Sequence, residues 1–392
     1  MKASKSVMIR IILVVSYLYL ISGCAIVPAP KPAQVDLGAR FTPKIHFLNV
    51  GNGDCHVVEC SDNTTIIADC GGGVSDKSKN PDAMTPQQIV NYVNKFIEQK
   101  NVIVTVSHPH ADHYSRIPEI LSKKNLEDQG ATLKAIYYGG KIEAYPETFR
   151  KWYNSFDSPA VYKPRLGFPY RTNDFSVGEE QLNCGKLKNS ILMVNAKTPA
   201  TGKDEVVEPG GNVCENGRFN ADSLVLGLYN TVDGSTAYLP GDATRITTSA
   251  LKSKWYGSPY KNGVSLASMA HHGADTEGSN NEEIVKLIKP KTVIASAGNN
   301  QTCAHPKCEV VRRYQLEGGD GKNRRPIVRN SAHPLSCYAR NDKDKWVPRD
   351  DSTNQDVYST FSSGTIVVPL KQGNDFKPDI ECFDANGKPR TC

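Results

Sequence analysis

The chain has 392 residues, 39% of them hydrophobic and 22% charged, with a formal net charge of +6. Three of its cations, Lys2, Lys5 and Arg10, open the N-terminus, leaving 44 cations against 41 acids in the remainder. So small an excess excludes charge by itself as an argument for nucleic-acid binding.

Those three cations precede the apolar run Ile11-Ile-Leu-Val-Val-Ser-Tyr-Leu-Tyr-Leu-Ile21. It is too short for a comfortable bilayer span and reads as an export signal over residues 1–23. Its end, Ile21-Ser-Gly-Cys24, looks like a bacterial lipobox, in which Cys24 becomes the lipidated N-terminus. Ala25 rather than Asp follows it, which by analogy with Gram-negative lipoproteins points to the periplasmic side of an outer membrane, where the host has one. Residues 24–40 are proline-rich and poor in bulky apolar groups, so the lipidated cysteine is expected on an extended tether. Folding is expected to begin near Phe41. No second linker of this kind follows, so one elaborated domain is expected over 41–370, with a C-terminal tail at 371–392.

Apart from Cys24, ten cysteines remain, at 55, 60, 70, 184, 214, 303, 308, 337, 382 and 392. In an exported chain this even number favours disulfides, whose pairing the sequence does not reveal. No Cys-x-x-Cys pair is present, which argues against a structural zinc knuckle.

Within the domain, Lys44–Val50 reads as a strand and Gly51–Asp54 as a tight turn. Cys55–Cys60 and Thr64–Asp69 form a hairpin about Ser61-Asp-Asn63. Ile89, Val93, Phe96 and Ile97 lie at helical spacing over 86–99, and the apolar run Val102–Val106 reads as a buried strand. Further strands are expected at 223–229, 235–240, 265–270 and 292–296, with a helix carrying Ile284, Val285, Leu287 and Ile288 before the last. Such alternation suits two mixed sheets covered by helices on their outer faces. Residues 141–219 and 317–350 are rich in polar and turn-forming residues and are expected to be insertions; the cations Lys322, Arg324, Arg325, Arg329, Arg340, Lys343 and Lys345 fit solvated loops there.

Directly after Val106 comes Ser107-His-Pro-His-Ala-Asp-His113, with three of the nine histidines in six positions. Imidazole nitrogen and carboxylate oxygen suit zinc, manganese or iron, and a turn after a strand aims alternate side chains at one point. His108 and His110 are expected to converge on one ion, Asp112 and His113 on a neighbour. Tyr238-Leu-Pro-Gly-Asp242 ends another strand with a carboxylate able to bridge two ions. Met269-Ala-His-His-Gly273 ends a third, from which His271 or His272 closes the second site. Asp69, also at a strand end, suits orienting a ligand through a hydrogen bond.

Taken together, these motifs resemble the metallo-β-lactamase superfamily, whose signature is His-x-His-x-Asp-His. Within it, Phe47-Leu-Asn-Val-Gly-Asn-Gly-Asp54, Asn220-Ala-Asp-Ser-Leu-Val-Leu226, Ser296-Ala-Gly-Asn-Asn300 with His305-Pro306, and Ser363-Gly-Thr-Ile-Val-Val368 resemble the extracellular hydrolase-like domain of ComEC-type competence proteins. The resemblance spans about residues 44–370. It implies a four-layer αββα sandwich of mixed α/β class with two divalent metal ions, zinc or manganese. It places His108 and His110 on the first ion, Asp112, His113 and His271 on the second, and Asp242 between them. Family members with a full first site supply another histidine shortly before the bridging Asp. This chain has none between 113 and 271.

The expected chemistry is hydrolysis by a metal-activated water. Asp112 or Asp242 would hold the water in line, His272 and His305 would serve the leaving group, and Asp54, Asp69, Asn220 and Ser223 would contact substrate or stand behind the ligands. The ComEC-like resemblance implies a phosphodiester substrate, including DNA, met outside the membrane, with no protein partner. Alternatives are an acyl C–N or C–O hydrolase of lactamase or lactonase type, and a non-catalytic metal-containing binding protein of the envelope.

Overall fold

The computed structural model describes residues 42–72, 81–156, 182–194, 196, 217–255, 258–299, 303–317, 326, 328–371 and 379–392. The expected export signal, Cys24, the expected tether and Cys214 lie outside these residues.

Strands β1 (Lys44–Phe47), β2 (Cys55–Glu59) and β3 (Thr64–Cys70) form an antiparallel meander. Helix α1 (Pro86–Ile97) carries the chain to β4 (Asn101–Val106), parallel to β3. Thr85 and Gln88 close a capping box around Pro86, and Ile89, Val93 and Ile97 repeat every fourth residue on the buried face. Short helices α2 (Ala111–Tyr114), α3 (Ile117–Ile120) and α4 (Lys123–Asp128) precede β5 (Thr132–Tyr138), parallel to β4, and α5 (Glu147–Asn154) follows.

The second half begins with β6 (Leu187–Met193), β7 (Val225–Asn230) and β8 (Thr236–Leu239), antiparallel in turn. Helix α6 (Arg245–Trp255), β9 (Leu266–Ser268), α7 (Glu282–Ile288) and β10 (Thr292–Ala295) then wind parallel strands beside β8. After α8 (Cys308–Glu317), a long hairpin, β11 (Val328–Arg340) and β12 (Trp346–Gln355), leads to β13 (Val357–Ser359), parallel to β10. Short α9 (Thr360–Ser363) returns the chain through β14 (Thr365–Pro369) to pair with β1, and β15 (Glu381–Phe383) and β16 (Pro389–Arg390) extend that edge.

Among the described residues two large sheets result, ordered β16-β15-β14-β1-β2-β3-β4-β5 and β13-β10-β9-β8-β7-β6, beside the two-stranded β11-β12. Period-two alternation decides how they pack. Ile66, Ile103, Leu226, Ala237, Leu266 and Ile294 point into a shared core between the sheets. Their neighbours Ile67, Val102 and Val104 meet α1, α3 and α5 on one outer face. Val225, Tyr238, Ala267 and Val293 meet α6, α7 and α8 on the other. The four-layer αββα arrangement of the mixed α/β class is therefore the fold of this chain. Its parallel strands β4, β8, β9 and β10 run directly into Ser107, Asp242, His271 and Ser296, so the chemistry-bearing residues gather at carboxyl ends, where open α/β sheets bind ligands.

The described parts of the two expected insertions carry regular structure: 141–219 includes α5 and the edge strand β6, and 317–350 includes most of the β11–β12 hairpin. Both were obscured because edge and free-standing strands expose polar residues on both faces and lose the apolar alternation. The presumed tail instead adds β15 and β16 to the first sheet, closed by the disulfide Cys382–Cys392. The other described pairs are Cys55–Cys70, Cys60–Cys184 and Cys308–Cys337, and Cys303 is also disulfide-bonded.

Close backbone approach ties the first sheet to the histidine loop. Asp54 N donates to Asp112 O at 3.0 Å, and a Cβ on Gly71 would run into the backbone of Asp112 and His113. Gly71→Ala is expected to displace that loop and lower stability by about 1–3 kcal/mol, the usual cost of overpacking. Urea denaturation checks this; an unchanged midpoint contradicts it.

Candidate metal centre

Asp242 sits at the centre. Its carboxylate is buried, and its two oxygens face different imidazoles. Oδ1 lies 3.1 Å from His113 Nε2 and 3.8 Å from His272 Nε2. Oδ2 lies 3.5 Å from His108 Nε2 and 3.6 Å from His271 Nε2. Asp112 joins the first group, with carboxylate oxygens 3.4 Å from His272 Nε2 and 3.9 Å from His113 Nε2. His110 joins the second, its Nδ1 2.9 Å from His108 Nε2.

Hydrogen bonds behind these rings choose which nitrogen faces Asp242. His113 Nδ1 donates to Asp69 Oδ2 at 2.9 Å, while the other Asp69 oxygen accepts from Ser107 N at 2.6 Å. His272 Nδ1 donates to the Ser296 carbonyl at 3.0 Å. A carboxylate and a carbonyl only accept, so both rings carry their proton on Nδ1 and turn Nε2 inward. His108 Nδ1 is within 3.0 Å of Ser107 Oγ and 3.5 Å of Ser223 Oγ. His271 Nδ1 is 3.1 Å from Thr276 Oγ1 and 3.4 Å from the Asn220 amide. Asp54 lies on this rear side too, 3.5 Å from His272 Nδ1, 3.7 Å from His56 Nε2 and 3.9 Å from His113 Nδ1.

The fold brings Asp54, Asp69, His108, His110, Asp112, His113, Asn220, Ser223, Asp242, His271 and His272 together, while Cys24 lies outside the described residues. His272, expected as a spare imidazole, stands with Asp112 and His113. His271, expected there, approaches Asp242 Oδ2, the oxygen that His108 also approaches. His305 is buried, its ring centroid 5.5 Å from His271 and 6.5 Å from His272, and its Nδ1 has no hydrogen-bond partner.

Electrostatics follows from this crowding. Burial alone would push the Asp242 carboxyl up, but His113, His271, His108 and His272 outweigh it and hold the group well below the usual carboxylate range. Burial pulls His113 and His272 down, yet Asp242 and the other carboxylates around each ring raise both well above an ordinary histidine. His108 is driven well below the usual value by burial and by His113.

Left-handed backbone supplies the aim. Asp69, His271 and His272 have φ of 52°, 50° and 56°, a conformation costing non-glycine residues about 1–3 kcal/mol each. Asn280, which belongs to no recognisable motif, holds the strained turn: its Oδ1 accepts from Ala270 N and Tyr314 OH, and its Nδ2 donates to the carbonyls of Ala270 and Ala274. His56 and Thr276 were likewise missed, because only the fold brings them to the ligands.

The donor set fits a divalent cation. Donor atoms of His108, His113 and Asp242 lie within 4.8 Å of one another, as do those of Asp54, His113 and His272. Among the described residues, His113 Nε2 and Asp242 Oδ1 face each other at 3.1 Å and His272 Nε2 faces Asp112 at 3.4 Å, buried nitrogen–carboxylate contacts that a bound cation would satisfy. The Asp54 grouping is the poorer candidate, since its contacts are to Nδ1 atoms already committed to Asp69 and Ser296.

Metal requires neutral Nε2 atoms, while the surrounding carboxylates raise His113 and His272 well above an ordinary histidine. Binding must release protons, and affinity must fall as pH falls through the raised imidazole range. Zinc titration by calorimetry in buffers of different ionisation enthalpy is expected to show proton release near neutral pH; buffer-independent heats would contradict it.

No protein-family model matches the chain, and no curated protein matches it in sequence. Among solved structures, a mutant of CmlA beta-hydroxylase is similar at a TM-score of 0.37 and 12% identity, covering 65% of this chain and 46% of that one. The short form of human tRNase Z gives a TM-score of 0.36 and 12% identity, covering 64% and 91%. A diphosphatase of the PhnP family gives 0.36 and 9%, covering 80% and 100%. The chain thus spans less than half of the CmlA hydroxylase, and likenesses at this level carry no argument about its activity.

Proposed function

We propose that this chain is a metal-dependent hydrolase acting on phosphodiesters, exported and held at the cell envelope by lipid on Cys24. The observation that carries the hydrolase reading is the two-sided donor set around Asp242. His113, His272, Asp112 and Asp242 Oδ1 would hold one cation, and His108, His110 and Asp242 Oδ2 its neighbour. Paired divalent cations acidify a bound water and take up charge on the attacking and leaving oxygens. Asp242 fixes the spacing of the two groups of imidazoles, while Asp69 and the Ser296 carbonyl fix the tautomers that keep Nε2 available. The close packing of Gly71 against the histidine loop keeps Asp112 and His113 in register with the first sheet.

A cavity of about 480 Å³ adjoins the centre through Thr276, which touches His271; Lys307, Arg312, Arg340 and Trp346 line it together with the acids Asp275 and Glu309, and Arg340 is paired with Asp344. Lys307 Nζ and the Arg340 guanidinium both lie 4.8 Å from the Trp346 ring centroid, a cation–aromatic grouping suited to a phosphate-bearing chain. Asp275, the acid beside Thr276, is neutralised by Arg313. The ComEC-like resemblance, with DNA as the substrate met outside the membrane, agrees with this chemistry.

With manganese, residues 25–392 are expected to cleave single-stranded DNA or bis(p-nitrophenyl) phosphate. Asp242→Ala should lower the rate by about 100-fold or more, a loss on the order of 3 kcal/mol in transition-state stabilisation. Absence of cleavage, or equal cleavage by the variant, contradicts the proposal. Turnover of nitrocefin or a lactone instead would assign an acyl hydrolase, and tight metal binding without any turnover would assign a binding protein. For the anchor, the full-length chain expressed in a bacterial host should partition into detergent and Cys24→Ser should not.

A further inference from the structure

We infer that His271 is the third imidazole of the cation position formed by His108 and His110, and that the adjacent His272 serves the other position. Two neighbouring residues would thus be divided between two ions by the backbone turn they share. This rests on the reading of the site as a metal centre. The first position is otherwise short of nitrogen donors, since no histidine lies between 113 and 271.

Geometry distinguishes the two rings. His271 Nε2 and His108 Nε2 approach the same Asp242 oxygen, Oδ2, at 3.6 and 3.5 Å. His272 Nε2 approaches Oδ1 and also Asp112. Consecutive side chains in an ordinary strand point to opposite faces and would not both reach one carboxylate. Here left-handed φ at 271, 272 and Gly273 curls the chain, so both rings remain on the Asp242 side. His271 N donates to Gly241 O at 3.0 Å, which pins the turn beside Asp242 itself.

Behind the ring, Thr276 Oγ1 can accept the Nδ1 proton of His271 and leave Nε2 as the free donor. Asn220 Oδ1 is buried without a partner, and turning its amide over would place that oxygen on the same Nδ1. Asn220 and Thr276 therefore do for His271 what Asp69 does for His113. Strain held at a residue with unspent donor capacity is the pattern of a functional position.

His271→Gly separates ligation from folding, because glycine adopts φ near 50° without penalty. Cobalt(II) is the probe, with bound metal counted by mass spectrometry after gel filtration and the visible absorption recorded during titration. Wild type should hold two cobalt ions per chain and His271→Gly one. His272→Gly should also hold one, with a different absorption spectrum because the other position is lost. The urea midpoint of metal-free His271→Gly should equal or exceed that of wild type. Retention of both ions by His271→Gly, or a wild type that binds one ion or none, overturns the inference. Two ions in wild type and one in His271→Gly, without hydrolysis of any phosphodiester by wild type, would uphold it while refuting the proposed activity.

Discussion

A carboxylate buried among four imidazoles makes demands that the surrounding structure is built to meet. Asp242 cannot stay ionised in the interior without positive partners, and the imidazoles cannot all be protonated beside one another without negative ones. The centre meets this conflict unevenly, its carboxylates raising His113 and His272 well above an ordinary histidine while burial and His113 drive His108 well below. A pair of divalent cations would resolve it more completely, because each oxygen of Asp242 already faces its own set of nitrogen donors.

Placing those donors takes unusual backbone rather than unusual side chains. Asp69, His271 and His272 all occupy left-handed conformations, and the turn at 271–273 is held from behind by Asn280. The Cys55–Cys70 bridge joins the residues next to Asp54 and Asp69, and so fixes the two carboxylates nearest the rear of His113. The two sheets contribute unequally: the first supplies the His-x-His-x-Asp-His loop and its supporting acids, the second supplies Asp242 and the histidine pair. Packing of Ile66 and Ile103 against Leu226, Leu239 and Ile294 is what brings the halves together.

Much of this was legible in the residues. Runs such as Val102–Val106 and Thr292–Ser296 declare buried strands by β-branched content, and a metal-ligand cluster directly after one of them declares a strand-end site. The assignment of His271 and His272 was not legible, because it depends on φ values that no spacing encodes. Asn280, His56 and Thr276 carry no signal of their own; they matter through contacts 5 to 240 residues away in the chain. Edge strands β6, β15 and β16 and the β11–β12 hairpin were obscured because strands with two partly exposed faces lose the alternation that marks a half-buried one. The disulfide pairs awaited the fold for the same reason: pairing is a matter of Cα separation, not of order.

Asp242 is proposed to separate two cation positions, each drawing histidines from both sheets. Anomalous diffraction at the zinc edge from crystals grown with zinc would locate these positions. Two peaks are predicted on opposite sides of the Asp242 carboxylate. One should lie at about 2.0–2.1 Å from the Nε2 atoms of His113 and His272, and the other should lie against His108 and His110. Zinc on the Asp54 side of His113 and His272, or no peak beside Asp242, would contradict it.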